Sequence, residues 1–318
     1  MQEIILGLAA RIPLLNGRVV NRGTGGTDRA DYCYGVWLKH LALLRDAGIS
    51  RVPRRVGELG PGDSLGVGLA AVLCGADSYL ALDVKRFSNP ARNARILDEL
   101  VTMFRTRAPR PTRGWPDFDH CLDDGLFPSG ILNETHLGRT LAEERIQAIR
   151  EALRDEVSRD GSIQIRYVAP WEDEGAIEPK TVDLILSHSV LEHVRDVDRA
   201  YAACAEWIAP QGWMSHQIDL TSHGLARRWN GSWGIRSDLY WELIAGKRDC
   251  WINRLPASAH LTALKRAGFA LGTIRRRTQT DGLSRHKLGS TWQKLTDEDL
   301  TCAGLFLHAR PLSATVAG

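Results

Sequence analysis

The sequence predicts an α/β fold on a mostly parallel sheet, and three observations carry that prediction. Five apolar runs of strand length alternate with stretches of helical periodicity: RRVGEL at 54–59, SYLALDV at 78–84, SIQIRYV at 162–168, VDLILSH at 182–188 and WMSHQIDL at 213–220. Such alternation is the mark of βαβ units. The runs carry little polar interruption, as strands covered on both faces do, so all five are expected in the centre of the sheet. Finally, a glycine-rich turn, VGELGPGDSLGVG at 56–68, leaves the first run at the end where open α/β sheets bind ligands.

The elements follow in order. The N-terminus MQEIILGLAARIPLL starts with Glu3 and is broken by Arg11, which suits an amphipathic helix better than a cleaved leader. After the glycine turn, Asp63 or Ser64 can cap a helix through Leu65, Leu69, Val72 and Leu73 that stops at Gly75. Gly66 and Gly68 inside it each cost ~1 kcal/mol relative to Ala, so the helix is expected to pass close to the sheet or to a ligand. Residues 85–160 read as helical with a Pro-rich break at 108–128, and 221–256 are rich in Trp and Arg. Both stretches follow strand ends, where insertions make substrate walls. Beyond them come a helix at 257–267 and two runs, FALGTIRRR at 269–277 and CAGLFLHA at 302–309, that suit an antiparallel pair at the sheet edge.

A chain of 318 residues allows one large unit with insertions or two modest domains at ~150 residues each. The expected division is an N-terminal helical cap over 1–50 and one domain over 51–318, with the insertions at 85–160 and 221–256 forming a lid. Composition excludes several classes. Hydrophobic residues make up 43% and charged residues 25%, as in ordinary folded chains and unlike disordered ones. The net charge of +3 is too small for a dedicated nucleic-acid or membrane binder. The longest apolar stretch, 65–76, is interrupted by glycines and falls short of the ~20 residues that cross a bilayer. Six dispersed cysteines without a CxxC pair argue against structural zinc and for reduced thiols in the cytoplasm.

Gly60 and Gly62 lie on the turn, and Asp83 ends the next strand run, 23 positions after Gly60. Glycines that let a cofactor reach the backbone, with a carboxylate one strand over for ribose hydroxyls, make a nucleoside-binding arrangement. No GKS or GKT follows, which excludes a Walker phosphate loop. Glu58, two residues before Gly60, and the segment VDLILSHSVLEHV at 182–194 narrow the reading. Here the sequence resembles the class I S-adenosylmethionine-dependent methyltransferases. Their first motif is matched by Glu58, Gly60 and Gly62, their ribose acid by Asp83, and their fourth-strand pattern by Asp183–Ile185 and Leu191–Val194. The resemblance spans about 54–220 and, more weakly, GGTDRADYCYGVWLKH at 25–40.

The resemblance implies a Rossmann-like, mostly parallel seven-stranded sheet with helices on both faces and an antiparallel last strand. It implies S-adenosylmethionine as cofactor. Gly60 and Gly62 would approach the methionine part and Asp83 would hold the ribose, with Glu58, Pro61 and Val84 also in the cofactor set. Ala169 to Trp171 would border the adenine, although the family often carries an acid where this chain has APW. Ser187 joins the cofactor set, and Arg29 and Tyr34 would close over it.

Transfer to a hydroxyl calls for a general base, and histidine titrates in the right range. His188, His193, His216 and His223 lie near the expected strand ends. His223, four positions after Asp219, is the candidate base with Asp219 orienting it, and His188 is a further site candidate. His193 and His216 suit structural roles. Some relatives bind a divalent metal through ExxEH; here Ser189 stands in the first position, before Glu192 and His193. Glu192, His193 and His223 are a reduced set, and no metal is expected.

The expected activity is methyl transfer to a small-molecule hydroxyl, on a sugar or a secondary metabolite. Trp229, Trp233, Trp241, Trp251 and Arg227, Arg228 and Arg254 supply aromatic faces and cationic forks for such an acceptor, or the packing of a lid. Three other readings stand: a nicotinamide-dependent oxidoreductase using Gly60, Gly62 and Gly66, an RNA methyltransferase prompted by Arg275–Arg277 and Arg285–Lys287, and a non-catalytic scaffold. Neither nucleic acid nor membrane is an expected partner, and a homodimer stays open.

Overall fold

The computed structural model describes residues 25–109, 127–154, 161–171, 177–245 and 251–312. The N-terminal amphipathic helix, most of the Pro-rich break, and Cys121 and Cys250 lie outside the described residues. Seven strands, β1 (Arg55–Leu59), β2 (Ser78–Leu82), β3 (Gln164–Val168), β4 (Val182–His188), β5 (Ile208–Asp219), β6 (Phe269–Thr278) and β7 (Cys302–Pro311), form one sheet in the order β3-β2-β1-β4-β5-β7-β6. Strands β1 to β5 run parallel, and β7 lies antiparallel to both β5 and β6. The edge pair expected at the C-terminus is therefore present, with β7 tucked inside and β6 outermost. One correction concerns SIQIRYV: β3 is an edge strand, and its pattern of half-buried Arg166 and Tyr167 shows one flank left without a neighbour.

Both faces of the sheet are covered, which accounts for the near-continuous apolar runs. On one face, α1 (Ala30–Asp46), α2 (Gly66–Leu73), α3 (Pro90–Arg105) and α5 (Glu143–Arg154) bury a core with Val56, Tyr79, Ala81, Ile165, Leu184 and Leu186. On the other, α6 (Val197–Trp207) and α8 (Ala257–Arg266) pack on Leu59, Leu82, Ile185, Met214, Ile218, Leu305 and Leu307. The apolar positions alternate along each strand, so each strand feeds both cores. Helix α3 starts where Asn89 accepts from the Arg92 amide at 2.8 Å and Pro90 occupies the first turn, a start in which both residues suit their positions.

The glycine helix is explained by contact. A Cβ at Gly68 would lie 2.0 Å from the Tyr79 ring, and one at Gly66 2.4 Å from Cys33 Sγ. The helix thus passes close to the sheet and to α1, as the sequence leads one to expect. Its capping differs: α2 begins at Gly66 after Leu65, the Leu65 amide donates to Asn93 Oδ1 at 3.0 Å, and Ser64 Oγ accepts from Gly66.

The two long insertions have different fates. The described part of 85–160, including α3, the short α4 (Glu134–Thr140) and α5, belongs to the crossover layer between β2 and β3, so it backs the sheet instead of roofing the strand ends. The 221–256 stretch makes a separate small core of Leu225, Trp241, Ile244, Ala245 and Ile252 around α7 (Asp238–Ala245). Arg254 is sandwiched there, its guanidinium carbon 4.6 Å from the centroids of both Trp241 and Trp292.

Candidate functional site

Strand β1 has β2 on one side and β4 on the other, while the chain passes from β1 to β2 and returns to β4 only after β3. That reversal of direction opens a crevice beyond the carboxyl ends of β1 and β4, the usual ligand position in open α/β sheets. Gly60 and Gly62 occupy it with φ of 65° and 73°, backbone that L side chains adopt only under strain. Space also demands Gly60: a Cβ there would lie 2.6 Å from the methyls of Val190, just past β4. The Gly60 amide donates to Leu82 O at 2.8 Å, tying the turn to β2. Pro61 and Gly62 are buried.

Asp83 follows β2 directly and is buried beside this turn. It accepts from the Val84 amide at 2.7 Å, from the Gly62 amide and from the Tyr167 hydroxyl. Burial raises its carboxyl from 3.8 to about 6, in spite of these donors. Val84 is 63% exposed, an apolar side chain left open next to a buried carboxylate. Ala169 and Trp171 are half-buried on the same side; the Trp171 amide donates to Asp83 O at 2.9 Å and its ring meets Trp207 edge-on at 6.0 Å. Glu58 lies beneath the turn, buried, accepting from Tyr79 Oη at 2.5 Å. Burial pushes it up to about 8, so the acid of the first motif locks β1, β2 and α2 together.

Three residues assigned to the cofactor by sequence are engaged elsewhere. Arg29 is an exposed residue at the start of α1, paired with Asp31 at 3.0 Å. Tyr34 is buried in the core, its hydroxyl donating to Ala108 O at 2.7 Å and its ring against Phe104. Ser187 turns its hydroxyl to His216 Nδ1 at 2.8 Å, toward the α6 and α8 face. In each case the helical or strand period sets the direction, and a single motif residue does not reveal it. Tyr32, two positions before Tyr34, is the tyrosine of α1 beside the end of β4: its ring stands edge-on to His188 at 6.1 Å and lies in the field of Glu58 and Glu192.

Across the crevice the acceptor side is polar. Asp219 closes β5, its Oδ1 accepting from Thr221 N at 3.0 Å and from Arg277 of β6 at 3.3 Å. His223, held at φ 47°, brings Nε2 to 3.9 Å from Asp219 Oδ2 and 3.7 Å from Glu192 Oε1. The predicted pair is thus brought together, but as neighbours wider than a hydrogen bond, with Glu192 nearer than Asp219. Among the described residues neither Glu192 oxygen nor His223 Nε2 has a side-chain hydrogen-bond partner, although Glu192 is 2% exposed. Burial holds the Glu192 carboxyl well above the usual carboxylate range.

His193 completes the cluster. Its Nδ1 bonds Trp251 O at 2.6 Å, so Nε2 is the nitrogen left for a ligand, and its ring meets His223 at 5.0 Å. Glu192, His193 and His223 have candidate ligand atoms within 4.8 Å of one another, and among the described residues no other such group of three or more exists. Sequence reasoning set metal aside because Ser189 replaces an acid. The fold nevertheless gathers the remaining three, and a backbone carbonyl on the far nitrogen of a ligating imidazole is the usual outer support of a metal site.

The expected aromatic platform is largely occupied by its own packing. Trp233 Nε1 donates to Arg254 O at 3.0 Å, Trp229 packs on Trp233 at 5.7 Å, and Arg228 pairs with Asp281. The C-terminal arginines are also paired: Arg275 with Asp46, Arg276 with Glu298, Arg277 with Asp219 and Arg285 with Asp297. No helix of the described residues is long and apolar enough to cross a membrane.

A family model of a methyltransferase domain matches residues 130–215, from ahead of α4 through β4 into β5. Over that stretch the chain is similar to a methyltransferase domain. The chain is 29% identical over 130 residues to the ubiquinone biosynthesis O-methyltransferase of Mesorhizobium japonicum, covering 40% of this chain and 50% of that one. It is 32% identical over 131 residues to the protein of that name in a Chelativorans species, covering 40% and 49%. The chain therefore spans about half the length of the curated relatives it matches. A solved S-adenosylmethionine-dependent methyltransferase from Mesorhizobium loti is 17% identical, with a TM-score of 0.41, covering 84% of this chain and 95% of that one.

Proposed function

We propose that this methyltransferase moves a methyl group from S-adenosylmethionine to a hydroxyl oxygen of a small molecule. The observation that carries the reading is the pairing, in one crevice, of a side-chain-free turn facing a buried carboxylate with a base cluster on the opposite strand ends. The donor set suits the cofactor: Asp83 accepts from ribose hydroxyls, Gly60 and Gly62 admit the methionine part to the backbone, and Val84, Ala169 and Trp171 flank the adenine. Bound cofactor supplies an electrophilic methyl carbon on a sulfonium. The chain supplies alignment, worth ~7–11 kcal/mol when reacting atoms are well placed, and removal of the acceptor's proton.

His223 takes that proton at Nε2. The imidazolium lies between Asp219 and Glu192, 3.9 Å and 3.7 Å from Nε2. General-base help of this kind contributes ~10²- to 10⁴-fold. The relatives' shared name, O-methyltransferase, supports oxygen as the target. Because the 221–256 aromatics pack on one another, a sugar-stacking platform has little support, and a hydroxylated metabolite is the better acceptor.

A second reading of the cluster is favoured by the unpartnered oxygens of Glu192. One carboxylate and two imidazoles form a ligand set for a divalent cation such as Zn²⁺ or Mn²⁺. Glu192, His193 and His223 would hold it, and it would lower the acceptor hydroxyl's pKa.

The test is a screen of labelled methyl transfer from S-adenosylmethionine into metabolite extracts, beside thermal shifts with S-adenosylhomocysteine and NADP. Stabilisation by S-adenosylhomocysteine alone is expected. Stabilisation by NADP, or by neither, would sink the proposal.

A further inference from the structure

His188 ends β4 at the mouth of the crevice, half-buried, on the sheet face covered by α1. Its Nδ1 meets His40 Nε2 at 3.3 Å, and His40 Nδ1 meets Ser215 Oγ at 2.7 Å. His40 comes from the middle of α1 and Ser215 from β5; both are fully buried, and neither reaches the crevice. The chain Ser215–His40–His188 thus runs from the core outward and ends on His188 Nε2, for which no protein partner exists among the described residues.

The surroundings keep these rings neutral. Lys39 of α1 lies nearby, its amine donating to Gln217 Oε1 at 3.5 Å, and acts on both imidazoles. His308 of β7 also faces His40, with Phe306 packed between the strands and the helix. Among the described residues no hydrogen-bond partner of these rings is a carboxylate, and burial disfavours the charged form of both.

Two neutral imidazoles joined nitrogen to nitrogen must share one proton across that bond, so their tautomers are coupled. If Ser215 donates to His40, then His40 donates to His188, which shows an N–H to the crevice. If His40 donates to Ser215, then His188 donates to His40 and shows a lone pair. The two states differ by moving one proton along each ring and rotating one hydroxyl, with no change in charge.

We propose that His188 contacts the bound ligand through Nε2, and that His40 and Ser215 are positioning residues that let a cationic ligand select the lone-pair form. The inference rests on the cofactor reading above, since it needs a positive charge in the crevice. A neutral, electron-rich nitrogen facing a sulfonium or ammonium avoids the repulsion an imidazolium would bring, and the buried chain supplies it without a carboxylate.

The experiment is long-range ¹⁵N NMR of the histidine side chains in the full chain. It compares free protein, S-adenosylhomocysteine and an adenosyl analogue carrying an amine in place of the sulfonium. With the amine analogue, His188 and His40 are both expected to carry the proton on Nδ1. Ser215→Ala, a small change at the far end, is expected to shift His188 toward the Nε2 proton while the S-adenosylhomocysteine affinity stays within twofold. His40→Gln should do the same, and thermal melts report whether either variant folds. A His188 ring state indifferent to Ser215→Ala and to the amine analogue, in protein that binds S-adenosylhomocysteine, overturns this inference alone. Protein that takes neither ligand overturns the cofactor reading as well.

Discussion

Asp83→Asn separates two energies of opposite sign. Burial lifts the carboxyl from 3.8 to about 6, so holding it ionised at neutral pH costs the folded chain ~3 kcal/mol at 1.36 kcal/mol per pKa unit. An asparagine carbonyl can still accept from the Val84 and Gly62 amides without a charge to desolvate. An acid whose pKa is higher folded than unfolded loses stability as pH rises between the two values, here between 3.8 and about 6. The cost is constant above that window. The free variant should therefore melt above wild type at pH 8, by up to ~10 °C at about 2–4 °C per kcal/mol for a chain of this size. The gap should narrow at pH 5. Ligand binding moves the other way, because losing charge-assisted hydrogen bonds to two ribose hydroxyls, at ~1.5–3 kcal/mol each, weakens affinity by ~10²- to 10⁴-fold. Fluorimetric melts at pH 5 and 8, with and without S-adenosylhomocysteine, read both effects. A variant less stable than wild type at pH 8, or one that keeps the full ligand shift, would refute the reasoning.

Four other outcomes are expected. Gly60→Ala should destabilise by ~2–5 kcal/mol, combining positive-φ strain with overpacking on Val190, and adding Val190→Ala should restore only the packing share, as denaturant melts will show. His223→Ala should lower turnover by ~10²-fold or more while leaving S-adenosylhomocysteine affinity unchanged; normal turnover in a labelled-methyl assay would remove the base assignment. Calorimetry with Mn²⁺ or Zn²⁺ should show one site lost in Glu192→Leu, while that variant's free form gains ~1–3 kcal/mol because two orphaned oxygens are gone. Stability should fall as pH drops below about 6.5, since burial depresses His216 and His308 to about 3 and His260 to about 4. The unfolded chain takes those protons first, giving a slope of ~1.4 kcal/mol per pH unit for each histidine, and acid titration of the melting temperature measures it.

The sheet was legible in the sequence because strands buried on two faces write themselves as apolar runs, and the glycine turn because φ and space both exclude other residues at Gly60. SIQIRYV looked central since nothing in its composition records that β3 lacks an outer neighbour. Side-chain direction was harder to read. Tyr32 and Tyr34 differ by two positions on a helix, and only the packing of α1 decides that the first faces His188 and the second Phe104. Asp219 and His223 could be paired by their spacing of four and Glu192 with His223 by the family's metal motif, whereas the meeting of Glu192 and Asp219 over one imidazole is a fold contact. Arg277 was visible only as part of a basic run, and its meeting with Asp219 depends on β6 and β7 pairing across the sheet.

That meeting has a consequence for how the enzyme comes into being on the ribosome. The strands that border the crevice and the residues that would grip the cofactor are encoded by residue 190, but the guanidinium steadying Asp219 arrives with residue 277, and β7, which flanks the tip of β5, later still. A nascent polypeptide can own a cofactor cradle long before its proton-handling wall is braced.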